Sequence, residues 1–589
     1  MPPISSKTDR PKDKKGAMVR LTSYIVKYRV YLFDAVILGT AGNVAALVGP
    51  MIAGKAIDVI STGKGNVNFN KVMFYVVCLF IFYIISSVMT YILSTIMIKL
   101  GRKVANDMRK EVFAKLLKLP VSYFDNNQTG DIISRVSYDI DVINTSVSAD
   151  VTQLITSIIT IVGSFIMMFV ISRKLIVVQL ITLPASILYT RYMTKRTRPL
   201  FSARSKKYGQ MNGFTEEMFT GQKTIAAYAK EDVMIKRFEK YNEEAADGYY
   251  NADYYGTIIG PSIGFINNFS LALIGVFGSL LYIAGKGSLG QISSFILYSR
   301  KFSGPVNEVA NMYNEILSAL AAAERVFRLL DEEEETPDGR EAKVLKEVKG
   351  EVLFENVTFG YEENETVIND FSLTVKPGKV VAIVGATGAG KTTLINLLMR
   401  FYDVDGGSIK IDGTDIREYT RDSLRNAFTM VLQDTWVFGG TIRENLVYGN
   451  ENVTDDMLKE AVKACNLEYY INNMPEGYDT LIREGGNNIS KGQKQLLTIA
   501  RAMLINKHMM ILDEATSNVD TRTEKEIENA MLKLMENKTC FVIAHRLSTI
   551  ENADVILVLK DGVISEQGTH RELLEKGGMY YNMYMSQYR

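Results

Sequence analysis

Residues 385–393 read Gly-Ala-Thr-Gly-Ala-Gly-Lys-Thr-Thr, the spacing G-x-x-x-x-G-K-[ST], and the chemistry of that spacing is phosphate binding. Glycines at 385, 388 and 390 let the backbone wrap closely enough for its amides, Thr387 included, to meet phosphate oxygens. The N-terminus of a following helix adds a favourable dipole. In that arrangement Lys391 reaches the β and γ phosphates, the Thr392 hydroxyl sits on Mg²⁺, and Thr393 is a further candidate for binding the nucleotide. Such a site also needs a carboxylate for the metal and a group that positions the attacking water. Asp513 and Glu514 end the apolar run Met509–Leu512. Successive side chains of a strand point to opposite faces, so the two acids can do different work. Asp513 suits Mg²⁺, and Glu514 suits the role of general base or water-orienting group.

These groups need a scaffold that brings them together. Val380–Val384 is a short apolar run rich in β-branched residues and reads as a buried strand, while an apolar-periodic helix runs from Leu394. The expectation is an α/β phosphate-loop domain over 350–589. Ahead of it, residues 331–349 read as a linker that opens on the acid run Asp331–Glu335. The three cysteines (Cys78, Cys465, Cys540) and three histidines (His508, His545, His570) match no zinc or disulfide spacing, so any metal should be oxygen-bound.

The rest of the chain is of another kind. The overall balance of 67 basic against 66 acidic residues hides runs of 27, 22 and 32 residues (72–98, 151–172, 254–285) with no Asp, Glu, Lys or Arg. About 20 apolar residues cross a hydrocarbon core roughly 30 Å thick. Six spans are expected, near 31–55, 72–98, 151–171, 175–190, 256–284 and 291–315, within an α-helical membrane domain over 31–330. The sixth is interrupted by Arg300, Lys301 and Pro305. Residues 1–30 carry eight basic and two acidic residues and read as a cytoplasmic leader. The positive-inside bias then places both termini in the cytoplasm, and the absence of targeting extensions fits the plasma membrane of a bacterium. Arg102–Leu119 and Phe201–Asp247 show helical spacing among many charges, so the spans should continue as long solvated helices. Their tips are expected at Pro120–Thr129 and around Asn212–Gly221.

The phosphate loop, Gln433, Asn488–Gln493, Asp513–Glu514, Ser517–Asp520 and His545 resemble, in order and spacing, an ATP-binding cassette (ABC) domain. Tyr123-Phe124-Asp125 with Thr129–Asp131, Arg135 and Asp139 resembles the first coupling segment of ABC exporters, and Glu216–Glu231 the second. The resemblance implies that Tyr361 stacks on adenine and that Gln433 touches Mg²⁺ and senses the membrane half. It also implies that His545 contacts the γ phosphate and that Asp520 meets the partner across the dimer. Each ATP would lie between one copy's phosphate loop and the other's Ser490, Gly492 and Gln493, so the chain is half of a transporter and must dimerise. Where the family has Leu-Ser-Gly-Gly-Gln, this chain has Ile489-Ser490-Lys491-Gly492-Gln493. That departure resembles one subunit of heterodimeric bacterial multidrug exporters, with one competent and one degenerate site.

The function so implied is ATP-driven export of amphiphilic drugs, lipids or peptides by alternating access. A homodimeric lipid flippase or peptide exporter is the alternative, and an ATP-gated channel or sensor is an alternative of another class. The six spans exclude a soluble ATPase acting on nucleic acid. Charges are costly at membrane depth, so Arg300 and Lys301 mark either a substrate cavity or a snorkelling interface.

Overall fold

The charge-free runs fold as helix: the first opens a long helix, the second is a helix of its own, and the third ends a long helix. The computed structural model describes residues 13–587 other than 64, 363–364, 434, 451, 514–519 and 544–549. Met1–Leu119 with Asn127–Glu333 form one unit, and Pro120–Asn126 with Glu334–Arg589 form the other.

The first unit contains α1 (Lys14–Val26), α2 (Arg29–Ile60), α3 (Phe69–Leu116), α4 (Val151–Ile171), α5 (Ile176–Thr220), α6 (Glu231–Ile283) and α7 (Leu289–Asp331). Among the described residues, α2, α3, α5, α6 and the helical stretch ending in α4 are long and apolar enough to cross a membrane. The 43 residues of α7 form one continuous helix across Pro305, with Arg300 and Lys301 diluting its apolarity. α3 has 48 residues. At roughly 1.5 Å per residue a helix of that length far exceeds a hydrocarbon core of about 30 Å. α2 packs along α3, α5 along α6, and α7 against both α4 and α2.

The first tip holds a short helix, Val121–Asn126. The second tip lies at the far end of the stretch its sequence suggests. α5 stays helical through Asn212 to Thr220, and the turn falls at Gly221–Lys230 around a short helix, Gln222–Ala227. The hydroxyls of Thr215 and Thr220 donate back to the Met211 and Glu216 carbonyls at 2.9 Å, a bond compatible with helix, and Gly221 is the capping residue.

Pro50 interrupts α2 and removes the amide that would have paired with the carbonyl four residues earlier. That carbonyl belongs to Ala46, and the Lys301 ammonium donates to it at 2.8 Å. One and two turns earlier on α7, the Tyr298 hydroxyl donates to the Leu47 carbonyl and the Ser294 hydroxyl to the Pro50 carbonyl at 2.8 Å. Lys301 therefore satisfies a proline kink, whereas Arg300 beside it is exposed. Lys301→Met should leave the Ala46 carbonyl unpaired and cost about 1–3 kcal/mol. A lower unfolding temperature of the purified chain would report this, and Tyr298→Phe should add to the loss. Deeper along α7, Arg325 donates to the buried Asp139 carboxylate at 2.9 and 2.5 Å.

The acidic run is held at both ends. Asp331 accepts Arg20 of α1 at 2.6 Å in the first unit. In the second, Glu335 accepts Arg425, and Asp338 accepts Arg421 at 3.2 Å.

The second unit has two main sheets. β1 (Val352–Phe359), β2 (Ile368–Val375), β4 (Gly406–Ile411) and β5 (Thr414–Asp415) pair antiparallel in the order β2-β1-β4-β5, with β3 (Val380–Gly385) falling between β2 and β4 in the chain. The larger sheet also uses β6 (Phe428–Val431). After the short pair β7 (Gly440–Thr441) and β8 (Leu481–Ile482), it takes in β9 (Met509–Asp513), β10 (Thr539–Ile543), β11 (Val555–Lys560) and β12 (Val563–Gly568). Its order is β12-β11-β3-β10-β9-β6, parallel except for the edge strand β12. Continuous apolar runs such as Val380–Val384 suit a parallel sheet covered on both faces. The Cys465 and Cys540 thiols are buried, which pushes each up to about 12, so both are inert packing groups.

Candidate nucleotide site

In an open parallel sheet, ligands bind beyond the carboxyl ends of the strands. Here β3 lies between β11 and β10, and β9 is the next strand outward. The register sets Ile383, Ile543 and Asp513 at one level. Two residues past Ile383 the phosphate loop opens. In sequence Glu514 comes one residue after β9 and His545 two residues after β10, although both lie outside the described residues, as do Ser517–Val519.

The loop has the backbone its glycines permit. Gly388 and Gly390 have φ of +84° and +96°, a region that side-chain-bearing residues rarely adopt. A Cβ at Gly385 would fall 2.5 Å from the Leu559 carbonyl oxygen. Gly390 begins α8 (Lys391–Leu398) with no side chain capping the helix, so the first-turn amides and the dipole face the loop. Leu394, Leu397 and Leu398 anchor the helix in the core.

The Lys391 ammonium curls back over the loop and donates to the Gly385 and Ala386 carbonyls at 2.9 Å each. Burial holds its pKa below the usual lysine value, against the opposing pull of Asp513. A cation held over a glycine cradle and drawn toward a strand-end carboxylate fits a polyphosphate. Thr387 and Thr392 are exposed, while Thr393 is buried and accepts the Tyr361 hydroxyl at 3.2 Å. The Thr392 hydroxyl and the Asp513 carboxylate are hard oxygen donors of the kind Mg²⁺ takes, with phosphates supplying further ligands. Among the described residues no cluster of three or more His, Cys, Asp or Glu forms a protein-only metal cage.

Tyr361 follows β1 and is half exposed. Its ring stands edge-on to Phe359 and Tyr402 at 5.0 and 5.1 Å, and Asn396 of α8 donates to its hydroxyl at 3.3 Å. The packing leaves an aromatic face beside the phosphate loop, as adenine stacking requires. Tyr361→Ala should weaken ATP binding by about 1–3 kcal/mol, the usual worth of a stacked base. A raised KM for ATP with kcat nearly unchanged would report it. In the same unit the Tyr402 hydroxyl donates to Asp125 of the short helix Val121–Asn126 at 2.6 Å.

Gln433 is exposed on the bend that follows β6. The sequence reading missed what supports this bend. Arg501 of α9 (Lys491–Ile505) is buried, donates to the Trp436 carbonyl at 3.2 Å and the Asn445 carbonyl at 2.8 Å, and lies over the Tyr448 ring. Burial lowers its pKa. Its position among Leu497, Ala500 and Leu504 puts a charge on an apolar helix face, and that pattern was visible in the sequence.

Ser490 and Gln493 are already paired. Ser490 caps α9 by accepting the Gln493 amide at 3.2 Å, and the Gln493 side-chain oxygen accepts the Ser490 amide at 2.8 Å. Between them Lys491 is exposed at the first helical position and Gly492 is buried. Asp520 caps α10 (Thr521–Met535) through the Thr523 amide at 3.0 Å, which holds its carboxyl below the usual range. His570 faces the Tyr580 hydroxyl at 2.7 Å and serves packing.

A family model described as the ABC transporter transmembrane region matches residues 32–306, and one described as ABC transporter matches residues 368–517. A fatty acid ABC transporter ATP-binding/permease protein of Mycobacterium bovis is 45% identical over 476 residues, covering 81% of this chain and 75% of that protein. An ATP-dependent lipid A-core flippase of Desulfotalea psychrophila is 36% identical over 489 residues, 83% of this chain and 85% of the flippase. A solved bacterial Atm1-family ABC exporter with ATP bound superposes with a TM-score of 0.75 at 28% identity, over 95% of this chain and 98% of that one.

Proposed function

The chain belongs to the ABC transporters, in the form that joins a membrane region and an ATP-binding domain in one polypeptide, and we propose that it exports acyl-chain amphiphiles. One observation carries the ATP-driven part of this reading: Lys391, its glycine cradle and Asp513 converge at the strand ends of a chain that also carries several helices long and apolar enough to cross a membrane. ATPase-coupled transport is the family's activity.

On this reading the phosphate-loop amides and Lys391 bind the β and γ phosphates, Tyr361 stacks on the base, and Thr392, Asp513 and Gln433 hold Mg²⁺. When bound, Mg²⁺ neutralises charge on the phosphates. Glu514 takes the proton of the attacking water, and His545 orients the γ phosphate. Ser490, Gly492 and Gln493 close on the ATP held by the partner subunit, with Asp520 at the same junction. Lys391 neutralises charge that grows on the transferred phosphoryl group, the electrostatic role that dominates such reactions. Both termini lie in the cytoplasm, and the membrane is the bacterial plasma membrane.

The relatives named for fatty acid and lipid A-core transport support an acyl-chain amphiphile. An open, largely apolar groove along α6, bordered by Tyr249, Tyr250, Asp253, Tyr254, Ile258 and Pro261, is compatible with that class. Ring faces there offer apolar contact, and the carboxylate is held by Arg204 at 2.7 Å. With Lys301 engaged at the Pro50 kink, the exposed Arg300 is the member of the pair left free of that kink, and on this reading it meets an anionic headgroup. The test is an ATPase panel on the purified complex with fatty acids, phospholipids, cationic drugs and peptides, using Glu514→Gln as the inactive control. Stimulation by acyl-chain amphiphiles that Arg300→Gln reduces, with basal turnover unchanged, supports the reading. Stimulation confined to cationic drugs or peptides overturns it.

Lys491 supports a non-identical partner. Exporters of this family work as dimers, and a long charged stem at Lys491 stands where glycine lets the backbone approach the partner's γ phosphate. A partner with an intact signature would face this chain's Glu514 and make the competent site.

A further inference from the structure

At the short-turn end of the membrane unit, the start of α5 and the end of α6 enclose a groove of about 450 Å³. Small-molecule sites occupy roughly 300–1,000 Å³. Leu175 and Val178 form its floor, Ile181, Phe277 and Leu281 its walls, and Lys174 its rim. The lining is apolar apart from that ammonium and Thr182. Arg173, the neighbour of Lys174, is held at the same turn with its guanidinium over the Phe169 ring at 5.1 Å.

Among the described residues the charge here has no protein counterpart. No Asp or Glu occurs between residues 151 and 215 or between 254 and 307, the stretches that supply this end of α4, α5, α6 and α7. The carboxylate at the same end of α2, Asp58, is engaged by the Gly290 amide at 2.7 Å and the Ser288 hydroxyl at 2.9 Å. Among the described residues, neither Arg173 nor Lys174 has an ion-pair partner. Two cations on a turn of this side also run against the positive-inside bias on the orientation given above. Neighbouring cations at the rim of an apolar cleft fit an anion whose other end is hydrocarbon.

The geometry points to a binding site for an anionic phospholipid of the outer leaflet, with one acyl chain in the α5–α6 groove and the phosphate between Arg173 and Lys174. The site is separate from the open aromatic groove on α6, and its occupant is a resident lipid. Near a membrane surface each basic residue contributes roughly a fivefold preference for anionic lipid.

The chain has a single tryptophan, Trp436, in its ATPase domain, so a reporter can be placed cleanly. In a Trp436→Phe background, Phe277→Trp puts an indole in the groove, and Phe80→Trp puts a control on the exposed face of α3. The full chain, with any partner subunit made tryptophan-free, is reconstituted with phosphatidylglycerol or phosphatidylcholine brominated on the acyl chains, and quenching is measured. The site predicts that brominated phosphatidylglycerol competes at position 277 at least about fivefold better than phosphatidylcholine, with no preference at position 80. Arg173→Gln with Lys174→Gln should abolish the difference while quenching by phosphatidylcholine persists. Equal quenching by the two lipids at position 277 would overturn the proposal. So would a preference that survives loss of both cations. Absence of quenching there by either lipid would also overturn it, because protein would then cover the groove. None of these readings depends on substrate or on ATP turnover.

Discussion

Lys391→Ala is expected to lower ATP turnover at least about a hundredfold, because removing one preorganised donor to developing charge costs about 10²–10³ in rate. The ammonium already sits over the loop, 2.9 Å from two of its carbonyls, so it needs little rearrangement to meet a phosphate. Folding should survive the change. α8 is anchored by Leu394, Leu397 and Leu398, and among the described residues the side chain removed donates its hydrogen bonds to loop carbonyls. Phosphate release should be measured beside a melting curve, and a stable variant with a tenth or more of wild-type turnover would contradict the assigned role.

Lys491→Gly is expected to act in the opposite direction. If this chain is purified alone, each competent Glu514 faces a Lys491-bearing signature, and about 1 Å of misplacement can cost around a hundredfold in rate. Turnover of the chain alone should therefore be slow. It should rise at least about tenfold when glycine is restored, and by a similar factor when the chain is co-purified with a partner whose signature is intact. The structure makes the substitution mild, because Lys491 is exposed at the first position of α9 and the Ser490–Gln493 capping pair does not use it. If the chain alone turns over briskly, with no gain from Lys491→Gly, it works as a homodimer and the asymmetric reading fails.

Local signals in the sequence revealed much of the fold. The phosphate loop is legible because its glycines, lysine and threonine act within nine consecutive residues, and the strand and helix around it carry their own periodicity. Charge-free runs reveal long apolar helices for an equally local reason. What escaped is what depends on distant partners. Lys301 read as a membrane-depth charge because nothing near it in sequence reveals that Pro50, some 250 positions away, leaves a carbonyl for it. Arg501 could have been noticed as a charge on an apolar face, but its partners at Trp436 and Asn445 belong to another segment. The second tip falls at the far end of the expected stretch around Asn212–Gly221, because Thr215 and Thr220 bond back along the helix and carry it to Gly221. The register that levels Asp513 with Ile383 is a property of strand order, which runs β3-β10-β9 and has no sequence signature.

The central claim is that phosphate chemistry at Lys391 drives movement of an amphiphile across the membrane against its gradient. Accumulation of a radiolabelled fatty acid or phospholipid analogue in sealed inside-out vesicles tests it most directly. The wild-type complex should concentrate the analogue above its external level only when ATP and Mg²⁺ are supplied, and the Lys391→Ala complex should never exceed equilibration. Uphill accumulation by Lys391→Ala, or wild-type flux that stops at equilibrium, would contradict the account.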